Sequence, residues 1–135
     1  PYTKEYAKYP AMAAHTDADL ITLLTSTCPG IRIRDHAGKW IDPNITYLDQ
    51  FLVNIGDVMM RWSNDTYVST PHKVVLSEQQ RISIAYFKKA HDDVVIRPFP
   101  KFCVNGQAKY EPVVYGDFLR EKSKRAFKKK GINSK

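Results

Sequence analysis

The chain has 135 residues, 43% of them hydrophobic and 12% aromatic, enough apolar material for one packed domain and too much for a disordered or collagen-like polymer. Its 21 Lys and Arg against 14 Asp and Glu give a net charge of +7, which raises a nucleic-acid partner as a first question. The charge is local, however: residues 120–135 hold eight basic residues and one acid, while residues 1–119 hold 13 of each, so the body is neutral and the general argument for nucleic acid falls away.

Along the chain, Pro1 to Pro10 carries Lys4, Glu5 and Lys8 among its tyrosines and lacks the pattern of a signal peptide. No run of 18 apolar residues occurs, so no membrane span is expected. Leu20 to Thr25 is a continuous apolar run of β type, and Ile31 to Asp35 alternates Ile31 and Ile33 against Arg32 and Arg34, as a half-buried strand does. Pro29-Gly30 and Asp35-His36-Ala37-Gly38 punctuate these runs as turns, and Lys39 to Ile41 follows. Phe51 to Ile55 predicts a further strand stopped by Gly56-Asp57, Tyr67 to Leu76 an extended segment, and Arg81 to Phe87 an alternating strand. Strands at roughly ten-residue spacing with short turns predict an all-β core of the jelly-roll type. Pro98, Pro100 and Pro112 keep the next stretch irregular. Tyr115, Phe118, Leu119, Lys122 and Ala126 then follow helical spacing, which predicts a terminal helix over residues 115–129. The basic stretch at its end reads as a solvated face near the negative pole of the helix dipole. Cys28 and Cys103 lie 75 positions apart with no CxxC pair, which fits two reduced thiols in a cytoplasmic protein.

The chemistry concentrates in His15-Thr16-Asp17 and in His72, 57 positions beyond His15. On a strand, residues i and i+2 share a face, so the His15 imidazole and the Asp17 carboxylate can serve one metal. A histidine from a second strand completes two imidazoles and one carboxylate, the set that leaves non-haem Fe(II) open positions for a co-substrate and O2. Nine residues after His72, Arg81 and Ser83 share a strand face, and a guanidinium fork beside a hydroxyl suits a carboxylate ligand. His36 and His91, in turn-rich segments, read as solvated loop residues.

The runs AHTDADLITLL, GKWIDP, NIGDVMMRWSNDTYVSTPHKV and QQRISIAYF, with EPVVYGDFL as a closing segment, resemble the isopenicillin N synthase-like group of Fe(II)- and 2-oxoglutarate-dependent oxygenases over about residues 9–119. The resemblance implies a double-stranded β-helix, a cupin-like jelly roll, with a C-terminal helix. It implies His15, Asp17 and His72 as iron ligands, Arg81 and Ser83 as the seat of the far carboxylate of 2-oxoglutarate, Asn54 as a residue behind the metal ligands, and Tyr9 as a co-substrate contact. The implied activity oxidises a small organic molecule with O2, by hydroxylation, desaturation or ring closure, and releases succinate and CO2. Two alternatives stay open: an oxidase of the isopenicillin N synthase kind that dispenses with 2-oxoglutarate, and a catalytically silent metal-binding or interaction module. Members of the group are usually much longer, so residues 1–119 are expected to be an oxygenase domain lacking the N-terminal half, with residues 120–135 as a basic extension. An apolar sheet face uncovered by that absence favours self-association.

Overall fold

The computed structural model describes residues 12–45, 49–76 and 80–129. Seven strands form two antiparallel sheets. The first contains β1 (Met12–His15), β6 (His72–Val74), β3 (Ile31–Arg34) and β4 (Trp40–Ile41) in that order, and the second contains β5 (Leu52–Ile55), β2 (Ile21–Ser26) and β7 (Ser83–Lys88). In chain order the path passes repeatedly from one sheet to the other, the winding of a double-stranded β-helix. A two-stranded sheet, β8 (Val95–Ile96) with β9 (Val113–Val114), and two helices, α1 (Asp57–Trp62) and α2 (Tyr115–Lys129), complete the described elements, with short 3-10 turns at Pro100–Phe102 and Val104–Gly106.

The register of the second sheet sorts its side chains. Thr22 pairs with Asn54 on one side and Phe87 on the other, while Leu23 pairs with Val53 and Tyr86. Alternation therefore puts Thr22, Leu24 and Ser26 with Asn54 and Ser83 on one face, and Leu23, Val53, Ile84 and Tyr86 on the opposite one. Val53, Ile84 and Tyr86 are exposed, and β7 is exposed along its whole length. In the first sheet, Lys73 stands over the Trp40 ring, 4.5 Å from its centre, a cation–π contact.

Beside the sheets, Val58, Ile96 and Tyr115 are wholly buried, packed against Leu20, Trp62, Phe118 and Leu119. Helix α2 runs over the residues that its apolar spacing predicts, and its inward stripe covers this cluster. One expectation is corrected: Arg81 precedes β7, which starts at Ser83. Within the extended 67–76 stretch His72–Val74 is the strand, and Gly56-Asp57, which ends β5 as expected, also begins helix α1. That helix has six residues, too short for a 3.6-residue period to declare itself. It closes on Asn64 and Asp65, both with positive φ, residue types that tolerate left-handed backbone, and the Asp65 amide donates to the Met60 carbonyl at 3.0 Å.

Candidate metal centre

The two histidines meet because β1 and β6 are neighbours. His15 and His72 are direct cross-strand partners, and between Met12 and His15 the register shifts, so that β1 carries one more residue than β6 over the same span. Such a bulge re-aims the side chains that follow it. The two rings sit 4.3 Å apart, centre to centre, tilted by 55°.

Asp17 arrives differently from the same-face strand geometry that the sequence suggests. Strand β1 ends at His15, and Asp17 lies in the connection that crosses to β2 in the other sheet. Helix α1 fixes that connection. The Gly56 amide donates to the Leu20 carbonyl (2.9 Å), Asp57 to the Asp17 carbonyl (2.9 Å) and Val58 to the Asp19 carbonyl (3.2 Å). Gly56, the N-cap residue, has no side chain to cap the helix; carbonyls of the metal loop take that role for amides that the first turn leaves unpaired. The approach is so close that a Cβ on Gly56 would lie 2.0 Å from the Asp19 carbonyl oxygen.

The donor atoms converge. Nε2 of His15 and Nε2 of His72 each lie 3.6 Å from Oδ1 of Asp17, and one donor atom from each of the three residues falls within 4.8 Å of the others. A metal about 2.0–2.2 Å from each donor sets neighbouring donors roughly 3.0–3.4 Å apart, so the set needs only small side-chain rotations to close on an ion. The outer atoms fix the roles of the inner ones. Nδ1 of His15 lies 2.9 Å from the Ala13 carbonyl and Nδ1 of His72 lies 3.1 Å from the Thr70 carbonyl. A carbonyl only accepts, so a proton on each Nδ1 completes these contacts and leaves Nε2 turned to the centre. Oδ2 of Asp17 accepts from the Thr22 hydroxyl (2.6 Å) and from the Asn54 amide (2.8 Å), which leaves Oδ1 as the free donor. Asp17, Thr22, Asn54 and His72 are all buried. Two imidazoles and one carboxylate oxygen form a donor set suited to Fe(II) with positions left over for other ligands.

Arg81 and Ser83 are brought together: Arg81 Nη1 donates to Ser83 Oγ at 3.2 Å, and Nε donates to the Cys28 carbonyl at 3.2 Å. Ser83 pairs with Ser26, four residues along β2 from Thr22, or roughly 13 Å at the rise of a strand. Gly30 has φ +152°, and a Cβ there would meet Cδ and Nε of Arg81 at 3.2 Å, so the turn makes room for the guanidinium. Tyr9 lies outside the described residues. Asn54 donates to Oδ2 of Asp17 at 2.8 Å and lies 3.5 Å from Nδ1 of His72.

Four contributors went unread in the sequence. Thr22 sits as a lone hydroxyl inside an apolar run, and Gly56 reads as a strand stop. Asp19 accepts from the Tyr115 hydroxyl at 2.8 Å, and burial, with the bond to Asp19, pushes the Tyr115 phenol well above its ordinary range. Lys122 turns inward to the same loop. His36 and His91 are exposed, and His91 pairs with Asp93 at 2.6 Å.

This architecture has relatives. The chain is 39% identical over 116 residues to a homoarginine-6-hydroxylase of Oryza sativa subsp. japonica, covering 81% of this chain and 34% of that protein. It is 37% identical over 120 residues to a 2-oxoglutarate-Fe(II) type oxidoreductase of Emericella nidulans, covering 86% and 34%. It thus spans about a third of the length of these curated relatives. Among solved structures it is similar to a full-length Neurospora crassa protein in complex with alpha-KG and 5-formyluracil (TM-score 0.77, 32% identity, 87% of this chain and 42% of that one). It is also similar to the rice dioxygenase for auxin oxidation (TM-score 0.82, 26% identity, 93% and 44%). The family model of the 2OG-Fe(II) oxygenase superfamily matches residues 2–90, a span that contains the histidine–aspartate–histidine centre, Arg81 and Ser83, and the chain belongs to that superfamily.

Proposed function

We propose that this chain carries the metal and co-substrate centre of an Fe(II)- and 2-oxoglutarate-dependent dioxygenase that oxidises a small organic molecule. The observation that carries the reading is the convergence of His15 Nε2, His72 Nε2 and Asp17 Oδ1, with every outer atom of the three groups already committed. When bound, Fe(II) with 2-oxoglutarate and O2 supplies the oxidising chemistry, with succinate and CO2 as co-products. The protein's share is binding and orientation. His15 and His72 each offer Nε2, with Nδ1 turned to a backbone carbonyl, and Asp17 offers a single oxygen. The burial of Asp17 and His72 keeps water from competing on that side. Arg81, oriented by Ser83 and the Cys28 carbonyl, is the cation for the far carboxylate of 2-oxoglutarate, where a planar fork binds better than a point charge.

The test is succinate formation by the protein with Fe(II), 2-oxoglutarate and O2. Asp17→Ala is expected to abolish it while the protein remains folded. Full turnover by that variant ends the proposal, and O2 consumption that ignores 2-oxoglutarate removes the co-substrate from it.

Two further parts belong to the same reading. The exposed Val53, Ile84 and Tyr86 on one sheet face support self-association of the chain; light scattering that returns a monomer across a concentration series sinks that part. Among the described residues no helix is long and apolar enough to cross a membrane. Cys28 and Cys103, 75 positions apart with no CxxC pair, support a reducing compartment such as the cytoplasm, to be checked by fractionation.

A further inference from the structure

We propose that helix α2 is a working part of the metal centre, with Lys122 as a positioning residue that holds the backbone of the metal loop. The inference rests on the reading of His15, Asp17 and His72 as metal ligands. Among the described basic residues of the 120–125 stretch, Arg120, Lys124 and Arg125 are exposed, whereas Lys122 is largely covered. Its Nζ donates to the Thr16 carbonyl at 2.8 Å and to the Thr16 hydroxyl at 3.1 Å, and it forms an ion pair with Oδ2 of Asp57. An ammonium has three hydrogens to give, and these three acceptors match them in number.

The acceptors close a ring. Thr16 is bonded through the chain to Asp17; the Asp17 carbonyl accepts from the Asp57 amide; the Asp57 carboxylate pairs with Lys122; and Lys122 returns to Thr16. Seven residues earlier on the same helical stripe, the wholly buried Tyr115 donates to Asp19 at 2.8 Å. Helix α2 therefore grips the loop one residue before Asp17 and two residues after it. Thr22 and Asn54 orient the carboxylate, but they cannot fix the Cα that carries it. Asp17 reaches the centre from a loop and not from a strand, so its backbone position depends on these tethers. A long, flexible side chain loses much rotamer freedom when ordered; its confinement to the residue between two ligands points to a positioning role.

The test is titration of the metal-free full chain with Co(II), read by calorimetry and by ligand-field absorption, which reports the ligand geometry. Lys122→Met is expected to weaken Co(II) binding about 10- to 100-fold, the usual cost of losing support behind a ligand, and to alter the absorption bands. Tyr115→Phe, which removes one hydroxyl, is expected to weaken binding less, and Lys124→Met, on the solvent face, to change neither readout. If Lys122→Met does not fold, Lys122→Gln and Tyr115→Phe carry the test. Variants that melt earlier yet bind Co(II) with the wild-type affinity and spectrum overturn the positioning role, because a purely structural lysine would behave that way. A wild-type chain that binds no Co(II) overturns the metal reading and the inference with it.

Discussion

The Thr22 hydroxyl donates to Oδ2 of Asp17 across 2.6 Å, from the central strand of one sheet to a loop that leaves the other. This bond and the one from Asn54 decide which carboxylate oxygen faces the histidines. Thr22→Val keeps the side-chain shape and deletes the donor. Loss of a hydrogen bond to a charged group costs about 2 kcal/mol, so the variant should melt earlier. Freed rotation of the carboxylate should weaken divalent-metal binding about 10-fold or more. Calorimetric metal titration beside thermal melting separates the two effects, and an unchanged metal affinity would remove Thr22 from the support of Asp17.

Gly56 is required for a packing reason. Its φ of −99° suits any residue, but a Cβ would stand 2.0 Å from the Asp19 carbonyl oxygen and 2.7 Å from its carbon. Both are backbone atoms, so the clash is relieved only by moving the metal loop or the start of α1. Gly56→Ala should cost at least about 2 kcal/mol, in the range of overpacked cores. It should also weaken metal binding in the folded fraction, because the loop that shifts carries Asp17. Denaturant melts with and without Mn(II) read both; a variant as stable as the wild type would contradict the close approach.

Residue type and spacing carried a good deal of this site. Strands β2, β3 and β5 are legible because alternation and apolar runs are local signals, and helix α2 is legible because its stripe repeats over successive turns. His15, Asp17 and His72 stand out because an HxD pair with a distant histidine is a metal-ligand pattern, and Arg81 and Ser83 because a guanidinium beside a hydroxyl suits a carboxylate. Thr22 is hidden by context: within LITLL it looks like a β former, and its partner Asp17 becomes visible only once the β1–β2 crossing is known. Helix α1 lacks a local signature because its first amides are capped by carbonyls nearly forty residues earlier in the chain. Lys122 lies on the predicted inward stripe, yet composition groups it with its solvated basic neighbours.

Gly30 offers a test of the proposed role of Arg81 alone. Its positive φ is strained for any L side chain, and a methyl group would press on Cδ and Nε of Arg81 at 3.2 Å. The arginine side chain yields more readily than the strand, so Gly30→Ala should displace the guanidinium and leave the metal ligands in place. The expected result is a rise in KM for 2-oxoglutarate of about 10-fold, the effect of roughly 1.4 kcal/mol of lost ion pairing, with Co(II) affinity unchanged. An unaltered KM would argue that Arg81 does not bind the co-substrate.

The segment after β8 is clipped to the end of α1 by one carboxylate. Asp65 accepts from the Tyr110 hydroxyl and from Lys109 Nζ at 3.0 Å, while the Arg61 guanidinium lies over the Tyr110 ring. Burial, then the bond to Asp65, pushes the Tyr110 phenol up to about 12. Against the burial that opposes it, the bonds from Tyr110 and Lys109 hold the Asp65 carboxyl below its ordinary value of 3.8. The signs follow from linkage. A phenol raised in the folded state favours folding fully below pH 10, its ordinary value, and that contribution is lost as pH climbs towards 12. A lowered carboxyl contributes above pH 3.8 and is lost as pH falls through its folded value. Thermal melting of wild type and Tyr110→Phe across pH should therefore give a difference in Tm that is flat over neutral and mildly alkaline pH and shrinks between pH 10 and about 12. A difference that persists unchanged at the top of that range would mean that the phenol is not held neutral by Asp65.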